Sequence, residues 1–132
     1  MTATLFRGRP TNASLDGTWS EAGESTIRVV QAGAGSTVAI AGRVTVDSSP
    51  HLRLILLDVL RRGKAPRMII DFSAVSYVDM SGMAILLETL KAARLRSVKL
   101  YVTGMSGQVR TLAEVAQLDA LFRAWGSEVE FR

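Results

Sequence analysis

The chain has 132 residues, of which 48% are hydrophobic and 21% are charged, and these proportions are typical of one soluble globular domain with a single core. It contains no cysteine, which excludes a disulfide scaffold, a thiolate zinc site and a cysteine nucleophile. The formal net charge is +4, and seven of the 16 basic residues cluster around one loop at residues 61–67 and at one helix end at residues 91–96, where they complement the helix dipole. We therefore do not expect binding to nucleic acid. No apolar run approaches the roughly 20 residues that span a bilayer, and we expect a cytoplasmic protein without membrane insertion.

The N-terminal part of the chain divides into a leader and a hairpin. Residues 1–24 are rich in small and polar side chains without apolar periodicity, which predicts a flexible leader before a folded domain at residues 25–132. Two runs with β-propensity, at 26–30 and 37–41, flank the glycine-containing segment 32–36 and predict an antiparallel hairpin. A phosphate-binding loop is the weaker interpretation of these glycines, because no helix follows to direct its N-terminus at an anion.

A helix and a central strand are predicted next. The helix begins at Ser48 or Ser49, because Pro50 then lies in its first turn. It ends near Gly63, where a glycine can take the left-handed conformation. The continuous apolar run at residues 68–72 predicts a strand that is buried on both faces.

The remaining elements alternate between helices and strands. A connection at residues 73–80 leads to a helix that begins at Ser81, and residues 97–103 form the next strand. Two further apolar segments predict helices before an edge strand at residues 128–131. This alternation predicts an α/β fold, in which a mixed β-sheet of four to five strands is covered by about four helices.

The connection into the helix at Ser81 carries the most informative residues. Unpaired N–H groups and the positive end of the helix dipole lie beside Ser81, so a phosphate on this side chain would be tolerated. The phosphate would add about −1.5 to −2 charges close to Asp79 and would repel acidic groups on a partner. Serine is also among the preferred helix N-cap residues, so a phosphorylation switch and a simple cap are both compatible with this pattern.

A resemblance to a known family bears on this choice. Residues 78–83, Val-Asp-Met-Ser-Gly-Met, resemble the Asp-X-Ser-Gly-Leu signature of the STAS domain, and the order of elements over residues 26–122 resembles that domain. The chain is similar to the anti-sigma factor antagonists, or anti-anti-sigma factors, of bacteria. In that family a serine kinase that is itself the anti-sigma factor phosphorylates the serine before the glycine, and a phosphatase resets the cycle. The resemblance implies that Ser81 is phosphorylated and that the unphosphorylated chain binds the kinase and frees the sigma factor.

The same resemblance implies a partner-binding surface around Ser81. Asp79 is expected to shape the phosphoacceptor site, and Gly82 to permit close approach of the partner's backbone. Methionines on either side of Ser81 and Gly82 would form an adaptable apolar contact surface if they are exposed. The expected partner-binding residues are Asp79, Met80, Gly82, Met83, Arg43 and Asp47.

One departure from the family motivates an alternative function. Family antagonists often have Gly-Glu-Leu-Asp after the second strand, where this chain has Gly-Arg-Val-Thr at residues 42–45. A kinase that expects acidic contacts would meet Arg43, although Asp47 could replace one of the lost carboxylates. The alternative is a STAS scaffold or accessory subunit, in a stressosome or on a transporter, that does not act on a sigma factor. In either role we expect a binding protein that is not an enzyme and uses no cofactor and no metal. The sequence is compatible with a homo-oligomer.

Overall fold

The structure is a computed structural model that describes residues 2–6, 13–14, 20–22, 25–32, 35–63 and 65–131. In these ranges the chain forms eight β-strands and four α-helices. The strands are β1 (Thr2–Phe6), β2 (Ala13–Ser14), β3 (Ser20–Ala22), β4 (Ser25–Ala32), β5 (Gly35–Val44), β6 (Arg67–Val78), β7 (Lys99–Met105) and β8 (Glu128–Phe131). The helices are α1 (Ser49–Arg62), α2 (Met80–Leu95), α3 (Gly107–Val115) and α4 (Leu118–Ala124).

The strands form one mixed sheet. Its order is β2-β1-β4-β5-β6-β7-β8, and β3 pairs with β4 beside this path. The pairs up to β4–β5 are antiparallel, which confirms the predicted hairpin, whereas β5–β6, β6–β7 and β7–β8 are parallel. The five strands from β4 to β8 and the four helices are the predicted α/β fold, which is therefore confirmed.

Three short strands lie in the segment for which the sequence predicts a flexible leader. β1 pairs with β4 from Thr2–Gln31 to Leu5–Arg28, β3 pairs with the first residues of β4, and β2 pairs with β1. Runs of two to five residues among polar neighbours carry only a weak periodic signal, so these strands are not predicted from the sequence. The division into a leader at 1–24 and a domain at 25–132 stays a prediction.

The core lies on one face of the sheet. Along β6 the side chains of Met68, Ile70 and Phe72 are buried, whereas Ile69 between them is 37% exposed. All four helices contribute buried side chains to the same core cluster. The prediction of a central strand that is buried on both faces is therefore wrong. The alternation was hidden because the residue that faces away from the core is also apolar.

The two ends of α1 differ in how well they were predicted. The helix begins at Ser49 with a proline in its first turn, as expected. Gly63 at its C-terminus has φ −68° and ψ 137°, so the expected left-handed conformation is wrong. A Cβ at this position would lie 2.9 Å from the Val59 carbonyl oxygen. Close approach to the helix, and not backbone handedness, therefore explains the glycine.

β6 is longer than the sequence predicts, and this extension positions the candidate site. Residues 73–78, expected to be a connection, continue the parallel pairing with β5 as far as Val44–Val78. Only Val75 and Val78 are buried in this part of the strand. Its small and polar residues lack the alternation that identifies a strand, so tertiary pairing with β5 determines its conformation.

Candidate functional site

The candidate site lies where β6 ends and α2 begins. Asp79 is the N-cap of α2 with an extended backbone, at φ −103° and ψ −177°. Ser81 follows in the first helical turn and is partly exposed, and Met80 between them is 58% exposed. Asp79, and not Ser81, therefore caps the helix, and the partly exposed Ser81 does not use its hydroxyl as a cap.

The Asp79 carboxylate organises this turn. Its Oδ1 accepts hydrogen bonds from the backbone N–H of Ser81 at 2.9 Å, from the N–H of Gly82 at 3.3 Å and from the Ser81 hydroxyl. Its Oδ2 accepts a hydrogen bond from the backbone N–H of Val46 at 3.2 Å. One carboxylate thus caps α2, orients the serine hydroxyl and joins both to the turn that follows β5.

These hydrogen bonds change the acidity of Asp79. Burial raises the pKa of the carboxyl group, but the hydroxyl of Ser81 and the N–H groups of Gly82, Ser81 and Val46 lower it, and the net pKa lies below its ordinary value. Asp79 is therefore ionised at neutral pH. A phosphate on the Ser81 oxygen would replace a hydrogen-bond donor by a second negative group beside this carboxylate.

Gly82 permits close packing inside the chain. It is buried, and a Cβ at this position would overlap Val78 Cγ2 and lie 3.0 Å from Val44 Cγ1. The first turn of α2 can therefore rest on the ends of β5 and β6 only if this residue has no side chain. The structure places Gly82 against its own strands, whereas the resemblance implied a contact with the partner's backbone.

The two methionines beside the serine have different environments. Met83 has no exposed surface and belongs to the core, because it lies on the face of α2 that packs against the sheet. This corrects the expectation that Met83 contributes to a contact surface. Met80 precedes the serine and is exposed, so it alone of the pair offers apolar surface to a partner.

The end of β5 lies beside the first turn of α2. Arg43 pairs with Tyr77 across the two strands, and its guanidinium carbon lies 4.3 Å from the centroid of the Tyr77 ring. Val46 and Asp47 follow in the next turn, where Val46 is 66% exposed and Asp47 is also exposed. The expected residues Arg43, Asp47, Asp79, Met80 and Ser81 thus gather at the carboxyl ends of β5 and β6.

Sequence reasoning missed Val46. This residue offers exposed apolar surface, and its backbone ties the β5 turn to Asp79, which is 33 positions away in the chain. The only local signal is an apolar residue between two polar ones in a turn, and many surface loops contain such a residue.

Metal-ligand clusters and membrane-spanning helices are both absent from the part of the chain that the structure describes. No group of three or more histidine, aspartate or glutamate side chains in these ranges could hold a metal ion. Among the described helices, none combines the length and the apolar composition required to cross a membrane.

Comparison with known proteins agrees with the resemblance. Residues 27–123 match the family model described as Mlab, STAS domain. The chain is 30% identical over 94 residues to the anti-sigma-B factor antagonist of Staphylococcus aureus, an alignment that covers 70% of this chain and 86% of the relative.

Two solved structures share the fold. An anti-sigma factor antagonist from Mycobacterium paratuberculosis has a TM-score of 0.66 and 23% identity, over 73% of this chain and 80% of that one. The phosphorylated form of the Bacillus cell fate determinant SpoIIAA has a TM-score of 0.59 and 12% identity, over 78% of this chain and 89% of that one. The match to the family model and the identity to the staphylococcal antagonist together show that this chain belongs to the STAS domain family, the family of the anti-sigma factor antagonists.

Proposed function

We propose that this chain is an anti-sigma factor antagonist that binds an anti-sigma serine kinase until Ser81 is phosphorylated. The observation that carries the proposal is the hydroxyl of the partly exposed Ser81, held by Asp79 in the first turn of α2. The 30% identity to a staphylococcal anti-sigma-B factor antagonist supports the same role. The role is binding without catalysis, in keeping with the STAS domain family, and a serine phosphatase in the cytoplasm would reset the cycle.

The surface around Ser81 has the composition of a protein contact site. Val46 and Met80 are 66% and 58% exposed, and both adjoin Asp79, one through its backbone hydrogen bond and the other in sequence. Exposed apolar side chains that are bordered by charged residues are typical of surfaces that bind other proteins. A kinase that reaches Ser81 would cover Met80 and Val46, with Arg43 and Asp47 at the border of the contact.

The charge of Arg43 constrains the partner. Arg43 is exposed, and its guanidinium lies over the Tyr77 ring at the end of β5. Many family antagonists have acidic residues at this position, and their partners must be complementary to a negative charge. A kinase that binds this chain would instead place a carboxylate opposite Arg43. Replacement of Arg43 by glutamate should therefore weaken binding of the cognate kinase.

Phosphoryl transfer to Ser81 would form a bond between Oγ and the γ-phosphorus of ATP, break the bond from that phosphorus to ADP, and release the hydroxyl proton. Asp79 accepts the hydrogen bond of this hydroxyl and orients it. Because its pKa lies below the ordinary value, Asp79 is a weak base, so a base of the kinase would take the proton.

The phosphate would act on the contact surface in two ways. It would add negative charge at the centre of the surface, where acidic groups of the kinase would be repelled. It would also compete with Asp79 for the N–H groups of Ser81 and Gly82, which the carboxylate now occupies. Displacement of Asp79 would break its hydrogen bond to Val46 and loosen the turn after β5. The surface would then lose both its charge balance and its shape.

Two experiments test this function. Phosphopeptide mass spectrometry on the chain purified from its host should find phosphate on Ser81. The kinase recovered from that host should bind Ser81→Ala as well as the unmodified chain, and Ser81→Asp at least tenfold more weakly, since a tenfold loss corresponds to about 1.4 kcal/mol of binding free energy. Ser97→Asp is the matched control, because Ser97 is exposed beyond the other end of α2.

The alternative role predicts a different outcome. Arg43 stands where family antagonists often have a glutamate, and this favours a STAS scaffold or accessory subunit with another partner. Equal binding of the kinase to Ser81→Asp and Ser81→Ala, together with an unmodified Ser81 under several growth conditions, would exclude the switch and support this alternative.

A further inference from the structure

The last residues of β6 have a neighbouring strand on one side only. β6 pairs with β7 as far as Asp71, whereas its pairing with β5 continues to Val78. On the β5 side the backbone N–H of Asp79 donates to the Val44 carbonyl oxygen at 3.0 Å. In a parallel pair the N–H and C=O of one residue point to the same side of the strand. The N–H and C=O of Val78 therefore point away from β5, to the side on which β7 no longer pairs with β6.

Gln108 supplies both missing partners from the first turn of α3. Its Oε1 accepts a hydrogen bond from the Val78 N–H at 3.0 Å, and its Nε2 donates one to the Val78 carbonyl oxygen at 2.8 Å. A side-chain amide has the same donor and acceptor groups as a peptide unit, so Gln108 takes the place of one strand residue. The Val78 side chain is fully buried, and its backbone groups would be costly to leave unpaired.

This pairing fixes the residue next to the phosphoacceptor site. Asp79 follows Val78 directly, and its own N–H is held by β5. The chain is thus held from β5 at Asp79 and from α3 at Val78. The Asp79 backbone must stay extended for its carboxylate to reach the Ser81 hydroxyl and the N–H groups of Ser81 and Gly82.

We propose that Gln108 is a positioning residue of the phosphoacceptor site: it clamps the Val78 peptide groups and so keeps the Asp79 carboxylate on Ser81. Its importance for phosphorylation rests on the proposed function, but its effect on the geometry of Asp79 does not. Gln108 is 30 positions from Val78 in the chain, so the clamp also links α3 to the first turn of α2.

The positioning role is tested by nuclear magnetic resonance on the whole chain, with no kinase present. Gln108→Ala should accelerate hydrogen exchange at the Ser81 and Gly82 amides by about fivefold to tenfold, the size expected for the loss of one or two local hydrogen bonds. It should also raise the pKa of the Asp79 carboxyl, because its donors are then held less firmly. Gln108→Glu can still accept from Val78 but cannot donate to its carbonyl oxygen, so it should show the same changes.

A purely structural role gives a different result. If Gln108 only completes the strand, Gln108→Ala accelerates exchange at the Val78 amide and leaves the Ser81 and Gly82 amides and the Asp79 pKa unchanged, which would overturn the proposal. Glu114→Gln is the matched control on α3, because Glu114 is exposed and its side chain forms an ion pair with Arg110 of the same helix. This variant should change none of these values.

Phosphorylation in the host separates the two proposals. The fraction of Ser81 that carries phosphate should be at least about threefold lower in Gln108→Ala than in the chain without substitutions and in Glu114→Gln. A loss of this size is expected when the reacting hydroxyl is no longer oriented. Equal occupancy despite a loosened Asp79 would overturn the role of Gln108 in the modification. If Ser81 carries no phosphate even in the chain without substitutions, the proposed function is contradicted. The resonance measurements would still decide whether Gln108 positions Asp79.

Discussion

The first turns of α1 and α2 lie at the same edge of the sheet, and each contains a serine near its start. Ser48 occupies the N-cap position of α1 and is fully buried, but its side chain bonds to the preceding turn and not to the helix. Its hydroxyl accepts from the Thr45 N–H at 3.0 Å and donates to the Arg43 carbonyl oxygen at 3.2 Å. Ser81 lies after the cap of α2, is partly exposed and donates to the Asp79 carboxylate. A serine at a helix start is therefore structural in one place and accessible in the other, and only its surroundings distinguish them.

The largest change in stability is expected from adding a side chain at Gly82, where the first turn of α2 packs on β5 and β6. Gly82→Ala should lower the free energy of unfolding by about 1–3 kcal/mol, because its Cβ would overlap Val78 and crowd Val44. Urea denaturation measures this change. Ala84→Ser is the control, since Ala84 lies two residues further along the same helix and is exposed, so the substitution should change the stability by less than about 0.5 kcal/mol. Equal losses in both variants would show that the close packing of this turn contributes little.

The two serines should respond differently to removal of the hydroxyl. Ser48→Ala should cost about 1–2 kcal/mol, because it leaves the Thr45 N–H without its acceptor in a part-buried turn. Ser81→Ala should cost less than about 0.5 kcal/mol, because Ser81 is partly exposed and the Asp79 carboxylate keeps its three backbone donors. The same denaturation assay compares the two, and equal costs would contradict the distinction between the two helix starts.

The smallest effect concerns pH. Because the pKa of Asp79 is lower in the folded chain than in the unfolded chain, its ionisation stabilises the fold above the unfolded value, and this stability is lost as the pH falls through the folded value. The advantage of the unmodified chain over Asp79→Asn should therefore shrink as the pH is lowered from about 6 to about 3. Asparagine is also a good N-cap, which makes it the matched variant. A constant difference over this range would show that the charge of Asp79 is not coupled to folding.

The features predicted from sequence are those set by neighbours in the chain. Alternating helices and strands predicted the α/β class. The candidate site followed from the resemblance of residues 78–83 to the STAS signature, which can be seen in the sequence because the N-cap and the first turn of α2 are adjacent in the chain. Val46 and Gln108 reach the site from 33 and 30 positions away, through contacts that exist only after β5, β6 and α3 have assembled. The burial of β6 was mispredicted for a related reason. Ile69 is apolar, but the pairing of β6 in the sheet directs its side chain away from the core.

The hydrogen bond from Val46 to Asp79 has a consequence during protein synthesis. It joins the end of β5 to the start of α2, and the whole of α1 and β6 lies between them. Parallel strands of this kind pair only after the intervening segment has folded back, which is slow compared with the formation of a helix. The nascent chain therefore contains Ser81 and its neighbours in sequence well before β5, β6 and α2 have assembled into the surface around Ser81. A kinase that recognises this surface would ignore the nascent chain and act only on molecules that have completed folding.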